Sequence, residues 1–145
     1  DLHTFVAKTD ARSLSTNSSS SLGGNMLIKY SSNYQKIAMG FLSYLPELKD
    51  LDHLQMELKV YTADSRHQFL LYKNNSDNFA GIIALEIQEQ IVMVRYISLS
   101  PTERSTNSIF KVLDEIQTYY PQSKIMGSIE MTPMILNWYK FRQGS

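Results

Sequence analysis

The sequence predicts a mixed α/β domain: a central mixed sheet flanked by helices, in the order β-α-α-β-β-β-α-β-α. Three observations predict it. Ile91 to Leu99 is apolar on both alternations except at Arg95 and Ser98, as a strand covered on both faces reads. A short polar loop follows, and then Ile109, Leu113, Ile116 and Tyr120 recur at helical spacing with Val112 beside them. A chain of 145 residues is one domain by its length and buries roughly two-thirds of its unfolded surface, enough for a core without staples.

The elements follow in order. Residues 13–25 are mostly Ser, Thr, Asn and Gly, the composition of a flexible linker. Met26 sits where a natural start would be, so residues 1–25 read as an added leader or a disordered arm, and 26–145 as the domain. The alternative for His3–Lys8 is a strand added to a sheet edge of this chain or a neighbour. Met26 to Tyr30 is a short strand. Tyr34, Ile37, Ala38, Phe41, Leu42 and Leu45 form one helical stripe, interrupted at Pro46. Leu48, Leu51, Leu54, Leu58 and Tyr61 mark a second helix. Gln68–Lys73, Phe79–Gln88 and the strand from Ile91 form an antiparallel meander, with the turn cluster Asn74–Asn78 and Gly81 as a bulge or close-approach point. Pro121 to Ser123 ends the next helix. Lys124 to Met131 then reads as a strand parallel to Ile91–Leu99, reached by a right-handed crossover. Thr132 caps a last helix with Pro133 at its first position.

Composition narrows the function. Fourteen basic and fourteen acidic side chains balance, which argues against nucleic-acid or polybasic membrane partners. There is no cysteine, so disulfides, thiolate metal sites and a Cys nucleophile are excluded. His3, His53 and His67 lack a ligand spacing, so no metal is expected. No apolar run approaches the roughly 20 residues of a membrane span, and no signal peptide is recognisable, so a cytoplasmic protein is expected.

One place suits an anion. The first N–H groups of a helix have no internal partner, and the helix dipole adds positive potential there. Arg104 supplies a guanidinium suited to phosphate, and Ser105, Thr106 and Ser108 supply hydroxyls. The competing reading is an ordinary capped helix start, which this feature alone favours.

The order of elements, with Met26-Leu-Ile-Lys-Tyr30, Lys36–Ser43, Leu45-Pro46…Leu51 and Arg95–Pro101, resembles the GNAT superfamily of acyl-CoA-dependent N-acetyltransferases. It is most similar to the small GNAT-like proteins of bacterial riboflavin operons, the RibT group. The resemblance covers Met26 to about Gln143 and implies acetyl-CoA as co-substrate and an amine as acceptor. It implies that Ile97, Ser98 and Leu99 form a bulge meeting the pantetheine arm and the acetyl carbonyl. The family's pyrophosphate loop maps onto Arg104, Ser105, Thr106, Asn107, Ser108 and Ile109. Arg104 matches; Asn107 and Ile109 replace small residues, with Asn107 expected to bear a left-handed backbone and Ile109 to block close approach. Tyr139, after Trp138, matches a tyrosine that protonates the departing thiolate. Thr132 falls where the family keeps a cofactor-binding Asn. Glu86 and Glu130 are the carboxylates considered for relaying the acceptor's proton through water, against a plain surface role. The family's usual final strands are absent, so a missing strand would come from residues 1–25 or from a second subunit in a homodimer. The alternative function is a catalytically degenerate GNAT-fold binding or regulatory protein that holds CoA weakly or not at all.

Overall fold

A computed structural model describes residues 26–144. The leader reading of 1–25, and a strand at His3–Lys8, lie outside the described residues. The elements are β1 (Met26–Lys29), α1 (Gln35–Leu42), α2 (Leu51–Ala63), β2 (His67–Lys73), β3 (Phe79–Ile87), β4 (Ile91–Leu99), α3 (Thr106–Tyr119), β5 (Lys124–Gly127) and α4 (Thr132–Gly144). The α/β order is the expected one.

The five strands lie in sequence order, antiparallel from β1 to β4, with β5 parallel to β4. β2 and β3 are apolar on both alternations because each face carries a helical layer. Phe69, Leu71, Ile82 and Ala84 pack with Ala38 and Leu42 of α1 and Leu54, Leu58 and Tyr61 of α2. Leu70, Tyr72, Ile83 and Leu85 pack with Val112, Leu113 and Ile116 of α3 and Ile135 and Trp138 of α4. Trp138 is fully buried, and its indole N–H donates to Asp114 Oδ1 at 2.9 Å, so α4 is pinned to α3 with no stranded donor.

Local chemistry sets the connections. Asn74 Oδ1 accepts from the Ser76 and Asn78 N–H groups, folding the β2–β3 turn around Asp77 at φ 65°. Leu45 lies beyond α1, and Pro46 opens a 3-10 turn, Pro46–Leu48, that separates the two helices. The last strand ends at Gly127, four residues before the expected Met131. A Cβ on Gly127 would stand 2.5 Å from Ile135 Cδ1 and 2.9 Å from Met131 Cβ. The bare glycine therefore lets the chain fold directly from β5 into α4.

Candidate active site

β4 changes phase at Arg95. Tyr96 pairs with Ala84, but Val94 pairs with Leu85, so Arg95 has no partner on β3. This is a β-bulge: one extra residue on one strand. It lies two residues before the expected Ile97–Leu99 segment. The expectation placed the bulge on the residues it presents rather than on the residue that causes it.

The bulge decides which way the backbone points. Below it, Ser128 N–H donates to Val94 O at 3.0 Å, so Val94 faces β5. Above it, Ser100 N–H donates to Ala80 O at 2.8 Å. Antiparallel pairs alternate between bonded and non-bonded. Ser98 and Tyr96 therefore face β3, while Ile97 and Leu99 turn their backbone groups toward the β5 side. There β5 has stopped: the last pair is Val94 with Gly127, and Ser128 Oγ closes the junction by donating to Arg95 O at 3.0 Å. Above Arg95, no strand among the described residues pairs with β4 on that side.

A cleft of about 310 Å³ opens there, lined by Tyr44, Leu45, Ile97, Ser98, Leu99, Arg104 and Ile109. Gly81 keeps the strand end flat: a Cβ would stand 2.4 Å from Leu99 Cδ2 and 2.7 Å from Ser98 O. Five of the sequence-predicted residues meet in the cleft, though not all in the expected manner. Ile97 and Leu99 bring backbone groups. Ser98 lines the wall, but its buried hydroxyl donates to Phe41 O at 2.6 Å on the α1 side. Arg104 is tethered rather than mobile: Nε donates to Leu99 O at 2.8 Å and the guanidinium lies 4.8 Å from the Tyr44 ring centre. Ile109 fills the same corner and packs on the core.

The rest of the predicted loop is a capped helix start. Ser105 Oγ accepts from Ser108 N–H at 3.0 Å and donates to Ser108 Oγ at 3.1 Å, so these hydroxyls serve α3. Thr106 and Asn107 form the exposed first turn. The expected left-handed Asn107 is corrected: among the described residues other than glycine, only Asp77 has positive φ. With no Gly pair, the segment simply continues as helix.

Two residues singled out on α4 are engaged by their own chain. Thr132 donates its hydroxyl to Ser128 O at 2.8 Å and Gly127 O at 3.3 Å, fastening the β5–α4 turn rather than offering a free donor. Tyr139 Oη donates to Ile125 O at 2.7 Å and accepts from Ile125 N–H at 3.1 Å. Lys124 and Ser128 direct their N–H groups to β4, so Ile125, at the opposite phase, faces away from it. The Tyr139 phenol thus lies on the outer edge of β5, across the strand from the slot, where it satisfies backbone groups that no strand among the described residues reaches. Glu86 Oε1 accepts from Arg95 Nη1 at 3.3 Å, and Glu130 is exposed in the turn after β5.

Sequence reasoning missed Tyr44, which it did not single out, Leu45, read only as the end of a core stripe, and the bulge itself. A signal for the bulge was present. Arg95 and Ser98 are three apart, yet both side chains lie on the α1–α2 face, as the bonds to Glu86 and Phe41 O require. In a regular strand residues three apart point to opposite faces, so two polar breaks at odd spacing imply an inserted residue.

No family model matches the chain. Among solved structures, AAC(6')-Iy, in complex with the bisubstrate analogue CoA-S-monomethyl-acetylneamine, superposes with a TM-score of 0.61 at 10% identity, covering 83% of this chain and 89% of that one. AAC(6')-Ih from Acinetobacter baumannii gives 0.58 at 11% identity over 84% and 90%. A Bacillus methanolicus protein, named an uncharacterized N-acetyltransferase in the lysA 3' region, is 33% identical over 101 residues, covering 70% of this chain and 84% of that protein. The chain belongs to the GNAT-type N-acetyltransferases. A further GNAT-type structure, spermidine N-acetyltransferase of Vibrio cholerae in complex with CoA and spermine, matches with a TM-score of 0.54 at 15% identity over 81% and 78%. Among the described residues, no helix is long and apolar enough to cross a membrane.

Proposed function

We propose that this protein transfers acetyl from acetyl-CoA to the nitrogen of an amine, by direct attack within a ternary complex. One observation carries the reading: the Arg95 bulge turns the Ile97 and Leu99 backbone groups into a slot that β5 leaves open. An N–H fixed at the end of a rigid strand is a preorganised donor for the oxygen of a thioester as negative charge develops on it. The apolar walls from Leu45 and Ile109 suit an apolar arm. The first N–H groups of α3, beside Arg104, suit phosphate. With Tyr139 engaged on the far edge of β5, the departing thiolate takes its proton from the attacking amine. The residues ask little more of catalysis than positioning and oxyanion stabilisation.

The finer parts of the proposal rest on residues already quoted. Lys36–Ser43 and Arg95–Pro101 support the RibT-like subgroup, so an amine linked to riboflavin biosynthesis is the acceptor to screen first. The cytoplasm is the proposed compartment. Self-association as a homodimer is proposed on the exposed apolar residues Ile129, after β5, and Leu136, on α4, and light scattering tests it.

A second reading, a GNAT fold that binds CoA weakly and does no transfer, is favoured by one corner of the cleft. Arg104 is committed to Leu99 O and Tyr44, and Ile109 stands where close approach is needed. Calorimetric titration of acetyl-CoA, with free CoA and ATP as controls, separates the two. Micromolar binding that requires the pantetheine arm supports transfer, and an amine screen follows. No binding at millimolar ligand sinks both the transfer reading and a CoA-binding role.

A further inference from the structure

Next to the bulge lies a polar pair that the acetyl-transfer reading does not use. Tyr96 follows Arg95 on β4, and its hydroxyl donates to Glu57 Oε2 of α2 at 2.8 Å, across 39 residues of sequence. The Tyr96 ring leans on Tyr61, with centroids 6.4 Å apart. Arg95, the nearest cation, is engaged with Glu86. The charged and titratable groups acting on this phenol are Glu57, Tyr61 and Arg95. Burial first, and then the hydrogen bond to Glu57, push the phenol's pKa well above its usual value, so Tyr96 keeps its proton at neutral pH.

Position makes the pair useful. Tyr96 and Ile97 are consecutive, so the Tyr96 side chain leaves the α2 face of β4 one residue, about 3.3 Å of strand rise, before the Ile97 backbone that faces the slot. Ile125 belongs to the α3–α4 core, so Met126 beside it points to the α2 face, where it stays 40% exposed. Tyr96 is itself half-buried, so this face beside the end of β5 is partly open to solvent.

Resting on the acetyl-transfer reading, we propose that Tyr96 is the catalytic proton acceptor for the amine and that Glu57 is its positioning partner. A primary ammonium gives one proton to the Tyr96 oxygen while the phenol's own proton passes to Glu57. The freed lone pair attacks the thioester carbon. The C–N bond forms, the C–S bond breaks, and a second nitrogen proton goes to the thiolate. Glu57 then returns its proton to solvent. The products are an amide, a thiol and one released proton.

The test compares acceptors that differ in their need for a base. Ethylamine is almost wholly protonated at neutral pH; hydroxylamine is not. Tyr96→Phe and Glu57→Gln are each assayed with acetyl-CoA and both amines. Turnover of ethylamine should fall on the order of 100-fold, at least about tenfold more than turnover of hydroxylamine. The ethylamine deficit should shrink as pH rises and free amine accumulates. An equal fall with both amines means a structural pair, and an unchanged ethylamine rate means an idle one; either overturns the relay. Wild-type protein that binds acetyl-CoA but acetylates neither amine overturns it too. Wild-type protein that binds no acetyl-CoA overturns the transfer reading beneath it.

Discussion

Below Arg95, Val92 and Val94 are fully buried and lie beside Ile125 and Gly127 of β5. Above it, Ile97 and Leu99 send similar side chains to the same α3–α4 core, with no strand among the described residues on their β5 side. The side chains hardly differ between the halves; the backbone does. One inserted residue lets the core continue while main-chain groups are released from the sheet. A bottom-up reading that follows side chains alone sees a single continuous strand.

The strongest way to break this comparison is to remove the inserted residue. Deleting Arg95 joins Val94 directly to Tyr96, whose partners Leu85 and Ala84 are already neighbours, so every side chain keeps its face and only the local bend of β4 is lost. The thermal melt should stay cooperative, with a loss of about 1–3 kcal/mol, while acetyl-CoA binding weakens at least about tenfold because the end of β4 no longer bends away from β5. Arg95→Ala keeps the backbone and loses only a half-exposed ion pair with Glu86, worth under about 1 kcal/mol. A deletion variant that melts and binds acetyl-CoA like Arg95→Ala would show the bulge to be incidental.

Gly81→Ala tests the upper half alone. The added methyl meets Ser98 O, a backbone atom that cannot swing aside. We expect a loss of about 2 kcal/mol in denaturant unfolding, together with weaker acetyl-CoA binding. Normal binding in the destabilised variant would separate the strand end from the site.

Tyr139→Phe tests the far edge of β5. It strands the Ile125 N–H and C=O and should cost about 1–2 kcal/mol of stability, with turnover preserved once the protein is folded. A large fall in kcat with an unchanged melting temperature would instead restore Tyr139 as the acid.

The smallest effect is a reference point away from β4. Burial, and then the neighbouring Asp114, raise the Glu115 pKa from its ordinary carboxylate value to about 7. The folded state therefore binds this proton more tightly than the unfolded state. Stability should decline as pH rises from the ordinary carboxylate value through about 7, and the penalty is complete above that. Glu115→Gln should raise the melting temperature at about pH 8 and leave it nearly unchanged at about pH 4. An equal shift at both would remove protonation as the cause.

Much of the fold was legible because periodicity reports burial. The meander, the crossover to β5 and both helical layers follow from apolar spacing at Phe79–Ile87, Ile91–Leu99 and Ile109–Tyr120. The site was legible mainly as a location. Side-chain type marked Arg104, Ser105, Ser108, Thr132 and Tyr139 as donors. It could not show that each would be engaged by its own chain, because those partners are backbone atoms or neighbours fixed only by the fold. The Glu57–Tyr96 pair was invisible for the same reason: 39 residues separate its members, and only packing α2 on β4 joins them.

The Tyr139 contact has one more consequence. A sheet that ends in an open strand can recruit the edge of another molecule and grow. Here β5 is four residues long, and the outward-facing amide and carbonyl of Ile125 are both occupied by one phenol. The ring acts as a chain terminator: it leaves a newcomer no free hydrogen-bonding register at the centre of the edge. Two copies that meet here would do so through side chains, and the protein should resist stacking into fibrils for as long as α4 stays docked.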